Sequence, residues 1–395
     1  MIGFRNASKN RAARRVRRLA GAGMVVPLAV SALVGGAGTA VAGPGAGPTA
    51  VVSMGDSYIS GEAGRWKGNS LTNTGSRNGT DRAWVSGSTY DPAKVYGGTA
   101  GGCHRSDSAE VKSAGPIADV SVNLACSGAV AANVFRASNG GVAIKGEAPQ
   151  ADQLAAVAAA NDVKVIALSI GGNDLGFADI IKECAYDFVL WNSYCYDDQQ
   201  YDVDQKIDGV MAGVGKSVDE IRAVMRGAGY TDSSYRIVLQ SYPSPIPRGA
   251  ENRYPQSDWS RLNTGGCPFW NRDSDWARDS LVPQLANRLK AVAAAKGVQF
   301  LDLRDMLQGR EVCATASKQV TSAVPASAKT SEWARWIDSS ETQGLVQESM
   351  HPNHFGQLAV GRCLALAVAQ PATAGVGCKN TAGADQSGMY LSPAS

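Results

Sequence analysis

Histidine is scarce in this chain, which contains only His104, His351 and His354. So few imidazoles leave a short list of candidate general bases and disfavour a metal centre built from several histidines. The chain also lacks a C-x-x-C pair and an H-E-x-x-H segment, which are spacings typical of zinc sites. These absences favour chemistry that needs no metal, and we expect no cofactor.

Acidic residues are absent from the first 42 positions, whereas basic residues are concentrated there. An uncharged stretch over 19–41 follows, and Ala40-Val41-Ala42 matches an A-x-A cleavage site. This layout predicts a signal peptide over 1–42 and a secreted, extracellular chain that begins at Gly43. A membrane anchor fits less well, because the stretch is rich in Gly and Ala and ends in small residues. Paired arginines leave the export route open. The basic residues concerned are Arg5, Lys9, Arg11, Arg14, Arg15, Arg17 and Arg18.

The mature chain has no excess of basic residues. The full sequence has 38 Lys and Arg against 35 Asp and Glu, and removal of the seven basic residues of the signal leaves 31 against 35. The resulting charge near −4 gives no reason to expect a nucleic acid partner.

All eight cysteines lie in the mature part. An even count in an exported chain predicts four disulfides, although spacing alone does not fix their pairing.

Five short apolar runs, rich in β-branched residues and stopped by turn residues, have the pattern of buried strands. They cover 50–54, 120–124, 163–170, 235–239 and 298–303. Helical patterns occur over 153–160, 203–225 and 276–296, and a last helix is expected from about 353 to 369. Strands that alternate with helices predict a parallel sheet covered on both faces.

Four long stretches fit neither the strand nor the helix pattern: 61–102, 175–202, 246–274 and 308–347. We interpret them as insertions into one domain that spans 43–395, because none has the strand-helix alternation of a separate core. They contain most of the tryptophans, which either line a substrate groove or pack the insertions. These tryptophans are Trp66, Trp84, Trp191, Trp259, Trp270, Trp333 and Trp336.

Residues with hydrolytic uses follow the predicted strands. Ser57, Gly128 and Asn173 come after the first three strands, and His351 precedes the last helix. In a parallel sheet, such strand ends meet at one edge, where ligands bind. A serine hydroxyl needs a base, usually histidine, to become a nucleophile. The N–H groups of Ser57 and Gly128 and the amide of Asn173 are candidate donors to an oxyanion.

The segments around these residues resemble the sequence motifs of the SGNH, or GDSL, hydrolase family. The resemblance, to the type of secreted actinobacterial esterases, lipases and phospholipases A, implies a carboxylic ester hydrolase. It also implies a flavodoxin-like α/β/α sandwich of three layers on a five-stranded parallel sheet. The motifs are Gly55-Asp56-Ser57-Tyr58, Ala125-Cys126-Ser127-Gly128-Ala129, Gly171-Gly172-Asn173-Asp174 and Met350-His351-Pro352-Asn353.

We therefore expect an esterase or lipase that forms an acyl-enzyme on Ser57, with His351 as its base. A phospholipase A or a polysaccharide deacetylase with the same site is an alternative, as is a secreted binding protein on a hydrolase fold. The expected partner is an acyl lipid or an acylated glycan, bound by a monomer without a stable membrane anchor.

The third member of the triad is open at this point. The family usually has an Asp three residues before the histidine, and Glu348 stands there in this sequence. Its carboxylate can orient the imidazole and stabilise its cation. In some secreted relatives a backbone carbonyl of this loop does so instead.

The sequence also allows other roles for these residues and for their neighbours. Glu348, His351 and His354 can be interpreted as metal ligands, although their spacing is not that of a known zinc motif. Ser169 follows the third strand in a segment similar to a nucleophile elbow, but no helix is expected directly after Gly171-Gly172. We expect Ser169 to be buried in its strand. His104 is expected at the surface or behind the site, and His354 is expected to face outward or cap the last helix.

The resemblance also bears on the disulfides. Pairing of cysteines adjacent in sequence gives four bridges, the first three of which resemble the pattern of secreted relatives. They are Cys103–Cys126, Cys184–Cys195, Cys267–Cys313 and Cys363–Cys378.

Overall fold

The computed structural model describes residues 44–97, 102–191, 193–338 and 341–395. The predicted signal peptide and its cleavage site therefore lie outside the described residues. None of the helices in the described ranges combines the length and the apolar character needed to cross a bilayer.

In the described residues, nine strands form a large sheet and a small hairpin. The runs predicted as strands over 50–54, 120–124, 163–170, 235–239 and 298–303 all form strands. Four of them are mostly buried, as the unbroken apolar runs predict, whereas the strand in 120–124 lies at the edge of the sheet and is only partly buried. The strands are β1 (Thr49–Gly55), β2 (Trp84–Ser86), β3 (Thr89–Tyr90), β4 (Val120–Asn123), β5 (Asp162–Ser169), β6 (Arg236–Gln240), β7 (Gln299–Asp302), β8 (Gly375–Lys379) and β9 (Tyr390–Pro393).

The large sheet has seven strands in the order β4-β1-β5-β6-β7-β8-β9, rather than the five expected. The five strands from β4 to β7 in this order are parallel to one another and follow the flavodoxin-like order. The additional strand β8 pairs in parallel with β7, and β9 closes the edge antiparallel to β8. These two strands were missed because Gly-Val-Gly-Cys-Lys and Tyr-Leu-Ser-Pro are short, partly exposed and lack an apolar run.

The helices confirm the α/β sandwich. Helix α8 (Tyr196–Gly227) packs against α4 (Ala131–Val134), α5 (Gln150–Ala160) and α11 (Val282–Lys296), whereas α12 (His354–Val368) packs against α3 (Glu110–Ser113). Asn353 caps α12 by accepting from the N–H groups of Phe355 and Gly356. The helices are α1 (Ser57–Ser60), α2 (Ala93–Tyr96), α3 (Glu110–Ser113), α4 (Ala131–Val134), α5 (Gln150–Ala160), α6 (Gly172–Leu175), α7 (Phe177–Leu190), α8 (Tyr196–Gly227), α9 (Ser260–Asn263), α10 (Asn271–Trp276), α11 (Val282–Lys296) and α12 (His354–Val368), with a π-helical turn at Ala277–Leu281.

The stretch 175–202 is a helical region rather than the loop expected. It holds α7 and the first turns of α8. Helix α7 buries Ile180, Cys184 and Phe188 on one face and carries further apolar residues on another. Because apolar residues occupy more than one face, its sequence lacks the single stripe that identifies a surface helix.

The eight cysteines form the four expected disulfides. Cys103 pairs with Cys126, Cys184 with Cys195, Cys267 with Cys313, and Cys363 with Cys378. The second bridge ties α7 to the start of α8, and the fourth ties α12 to β8.

Candidate active site

Ser57 is the first residue of α1, directly beyond the carboxyl end of β1. The turn is fixed by Asp56, whose Oδ1 accepts from the Tyr58 N–H at 3.1 Å. The other carboxylate oxygen of Asp56 accepts from the Tyr242 hydroxyl. Burial of this carboxyl raises the pKa of Asp56 to about 7. Ser57 itself is 7% exposed, at the floor of a cavity.

The residue before this turn must be glycine. Gly55 has φ +128°, and a Cβ there would stand 1.8 Å from the carbonyl oxygen of Ser169 on β5. The side chain of Gln150 completes the hydrogen bonding at this strand end. Its Oε1 accepts from the Gly55 N–H at 2.7 Å, and its Nε2 donates to the Gly55 carbonyl at 2.8 Å. Gln150 was not predicted from the sequence, because an amide at the start of an Ala-rich helix carries no recognisable signal.

The loop after β4 carries Gly128, whose φ is +83°. The Cys103–Cys126 disulfide and a 3.0 Å bond from the Cys126 N–H to the Gly55 carbonyl hold this loop beside β1. Among the described residues, neither the Ser57 N–H nor the Gly128 N–H has a backbone acceptor. Both N–H groups can therefore donate to another acceptor.

Asn173 lies in α6, at the carboxyl end of β5. Its Nδ2 donates to the Ala129 carbonyl at 2.9 Å, which leaves the second amide hydrogen for another acceptor. The neighbouring Asp174 accepts from the Ala131 N–H at 3.0 Å. Asn173 and Asp174 thus fix the segment after β5 against the loop that carries Gly128. Asn173 lines the same cavity as Ser57.

His351 reaches the serine from the long segment between β7 and α12. Its Nε2 lies 2.7 Å from Ser57 Oγ, and its Nδ1 lies 2.8 Å from the Ser349 carbonyl oxygen. Because a carbonyl can only accept, Nδ1 carries the proton of the neutral ring and Nε2 is free to take the serine proton. Burial lowers the pKa of His351, so the neutral form persists to acidic pH. The ring packs against Tyr58, with centroids 4.7 Å apart.

Glu348, the side-chain candidate for the triad acid, is hydrogen-bonded to groups other than the imidazole. Its carboxylate accepts from the Tyr96 hydroxyl and, at 3.1 Å, from the Leu345 N–H. The residue ends the 3₁₀ turn Val346–Glu348 and is buried. The imidazole contacts the Ser349 carbonyl instead, which is the alternative left open by the sequence.

A second buried network lies behind Glu348. The Tyr96 ring stacks on His104 with centroids 4.8 Å apart, and His104 Nδ1 lies 2.6 Å from Glu62 Oε1. Burial alone would lower the pKa of His104, but the Glu62 carboxylate raises it. His104 therefore lies behind the site, paired with a fully buried acid, rather than at the surface.

The remaining candidates lie away from the reacting pair. Ser169 is buried in β5, although a short helix, α6, does begin at Gly172, contrary to expectation. His354 is half-buried at the start of α12 rather than facing outward, and burial lowers its pKa to about 4. Within the described ranges, no three His, Cys, Asp or Glu side chains cluster as metal ligands would.

The Ser57–His351 pair opens into a cavity of about 480 Å³ with a mainly apolar lining. Helix α7 supplies one wall through Phe177, Ile181 and Val189. A smaller cavity of about 70 Å³ lies next to it and shares Tyr58, Phe177, Ile181 and Met350 with it. The two cavities provide apolar space next to Ser57 that is suited to an apolar ligand.

A parallel sheet with a hydroxyl–imidazole pair and free N–H donors at its carboxyl edge is an arrangement suited to acyl transfer. Among solved structures, the extracellular lipase of Streptomyces rimosus is similar at 21% identity and a TM-score of 0.48, over 82% of this chain and 100% of that chain. Phospholipase A1 of Streptomyces albidoflavus is similar at 18% identity and a TM-score of 0.45, over 81% of this chain and 98% of that chain. No curated protein sequence matches.

The model of the GDSL-like lipase/acylhydrolase family matches residues 54–357. The chain belongs to this family, as its motifs predicted, and is a carboxylic ester hydrolase.

Proposed function

We propose that this protein is a secreted esterase or lipase that cleaves esters of apolar acyl chains through an acyl-enzyme on Ser57. The observation that carries the proposal is the 2.7 Å contact of His351 Nε2 with Ser57 Oγ at the floor of a mainly apolar cavity. The hydrolase domain is residues 43–395, exported behind the signal 1–42. The four disulfides support an oxidising compartment.

In the proposed reaction, His351 Nε2 takes the hydroxyl proton as Ser57 Oγ attacks the ester carbonyl. The Ser57 and Gly128 N–H groups and the Asn173 amide bind the oxyanion that forms. The protonated His351 then gives its proton to the leaving alcohol, and water hydrolyses the acyl-enzyme with the imidazole again as base. The Ser349 carbonyl keeps Nδ1 protonated and holds the ring in place throughout.

The apolar lining favours acyl lipids over acetylated glycans, because an acetyl group would leave most of the cavity unfilled. A panel of p-nitrophenyl butyrate, decanoate and palmitate, phosphatidylcholine and acetylated xylan tests this. We expect kcat/KM to rise from the butyrate to the longer chains, with acetylated xylan the poorest substrate. Preference for the acetylated glycan, or equal turnover by the Ser57→Ala variant, would contradict the proposal.

A further inference from the structure

Helix α7 does more than line the cavity. Its carboxyl end leaves Tyr186, Leu190 and Trp191 in solvent, with 59%, 51% and 45% of their surfaces exposed. Val189, in the same turn, lines the cavity beside the candidate catalytic residues. The exposed apolar surface therefore continues directly from the wall of the substrate cavity.

An aromatic cluster extends this surface beyond the helix. The ring of Trp191 lies 5.8 Å from that of Trp259 and 5.2 Å from that of Trp270, and Tyr194 lies 6.1 Å from Trp270. Trp259 and Tyr194 are 44% and 42% exposed although they have these aromatic neighbours. The rings thus stabilise one another while they keep an outer face in water.

The base of the cluster is fixed. The Cys184–Cys195 disulfide joins α7 to α8, and Asp273 Oδ1 accepts from the Cys195 N–H at 3.1 Å. These links hold together the ends of α7 and α8 that carry Trp191 and Tyr194.

Exposed apolar side chains at the cavity also come from the segment that precedes His351. Leu345 and Val346 are 43% and 45% exposed, and Val346 lines the same cavity as His351. We call this set of residues the rim. It consists of Tyr186, Leu190, Trp191, Tyr194, Trp259, Leu345 and Val346.

Single exposed apolar residues are normal, but a group around a cavity mouth marks an interaction surface. Tryptophan and tyrosine are also the residues enriched where protein meets the lipid–water boundary. Acids outnumber basic residues in the segments that carry the aromatic end of the rim, where Lys182 is paired with Asp179 at 3.2 Å and the Arg272 guanidinium lies 5.3 Å from the Tyr194 ring. The excess of acids gives this surface little attraction for anionic lipids. The nearby acids are Glu183, Asp187, Asp197 and Asp198.

We propose that the rim docks the enzyme onto the surface of neutral or zwitterionic lipid aggregates, with the cavity mouth facing the lipid. An acyl chain then passes from the aggregate to Ser57 without crossing water. This inference rests on the proposed function, because it assumes that the substrate is an acyl lipid.

The test measures partition onto phosphatidylcholine vesicles by sedimentation, with the Ser57→Ala protein so that the lipid stays intact. Leu190→Ser/Leu345→Ser removes one leucine from α7 and one from the segment that precedes His351, and neither leucine lines the cavity. The matched control is Val142→Ser/Tyr390→Ser, which changes residues 54% and 47% exposed outside the rim. We expect the rim variant to lose about tenfold or more in partition, and the control to lose less than about twofold.

The same substitutions in the active enzyme should leave turnover of dissolved p-nitrophenyl butyrate unchanged and lower turnover of emulsified long-chain ester. Equal losses in both double variants, or stronger partition onto vesicles that contain phosphatidylglycerol, would overturn the docking proposal. So would a dimer in sedimentation velocity that only the rim variant dissociates. Ester hydrolysis by Ser57→Ala would refute the proposed function instead, while the partition result would stand by itself.

Discussion

The part of the site around the proposed nucleophile Ser57, called the nucleophile side, and the part around the proposed base His351, called the base side, are built in different ways. Ser57, Gly128 and Asn173 each lie within a few residues of a strand of one parallel sheet, so the backbone register places them. His351 lies in the segment between β7 and α12, whose described residues contain one short 3₁₀ turn. The sheet therefore positions Ser57, Gly128 and Asn173, whereas the packing of the insertions positions His351.

Contacts of the buried Arg335 hold the segment that carries His351. Arg335 is 1% exposed, its guanidinium lies 3.8 Å from the Trp66 ring, and its Nη1 donates to Asn69 Oδ1 at 3.1 Å. The Arg335 N–H in turn donates to the His351 carbonyl at 2.9 Å. Trp66 and Asn69 belong to the first insertion and Arg335 to the last, so two distant insertions together position the imidazole.

The largest expected effect is on the nucleophile side. Ser57→Ala should lower kcat on p-nitrophenyl esters by on the order of 10⁶-fold, because among the described residues the Ser57 hydroxyl is the one hydrogen-bonded to the His351 imidazole. Ser169→Ala, buried in β5, is the control and should retain most activity. The reverse pattern in folded proteins would place the nucleophile at Ser169.

The next effect tests the oxyanion donors. Asn173→Ala should lower kcat by about 10²–10³-fold with little change in KM, because the donor acts on charge that develops only in the transition state. Asn173→Asp should be at least as harmful, since a carboxylate cannot donate and repels the oxyanion. Stopped-assay kinetics on one ester decide this, and near-normal kcat in both variants would remove Asn173 from the site.

The nucleophile side was the part that the sequence could predict. Buried parallel strands have recognisable apolar runs, and the residue after each run falls at the carboxyl edge of the sheet. The partner of His351 could not be assigned in the same way, because the Ser349 carbonyl belongs to the backbone and has no side-chain signature. Gln150 and Arg335 were also missed, since each acts through contacts with residues far away in sequence.

A smaller effect is expected from substitution of Arg335. It distinguishes a role in positioning His351 from a role in the stability of the fold. Arg335→Met keeps a long apolar side chain over Trp66 but removes the donors to Asn69 and to the Gln343 carbonyl. We expect kcat to fall about tenfold as the imidazole loses its fixed position. Arg304→Met, which removes a donor to Asn287, is the control. It should lower the melting temperature without lowering kcat, and equal kcat losses in the two variants would contradict the positioning role.

The smallest effect is expected at Glu348. Activity requires neutral His351, and burial lowers the pKa of this residue, so kcat/KM should fall only at pH values below the ordinary imidazole pKa of about 6.5. Glu348→Gln should leave this acid limb in place and change kcat by less than about threefold. A triad acid would behave differently, because its loss costs about 10⁴-fold in kcat and shifts the limb to lower pH.

The most direct test of the Ser57–His351 pair is labelling by a fluorophosphonate, followed by mass mapping of the adduct. A single adduct on the peptide that contains Ser57 is expected in the native enzyme and in Glu348→Gln, with labelling largely lost in His351→Ala. An adduct on Ser169, or undiminished labelling of His351→Ala, would contradict the account.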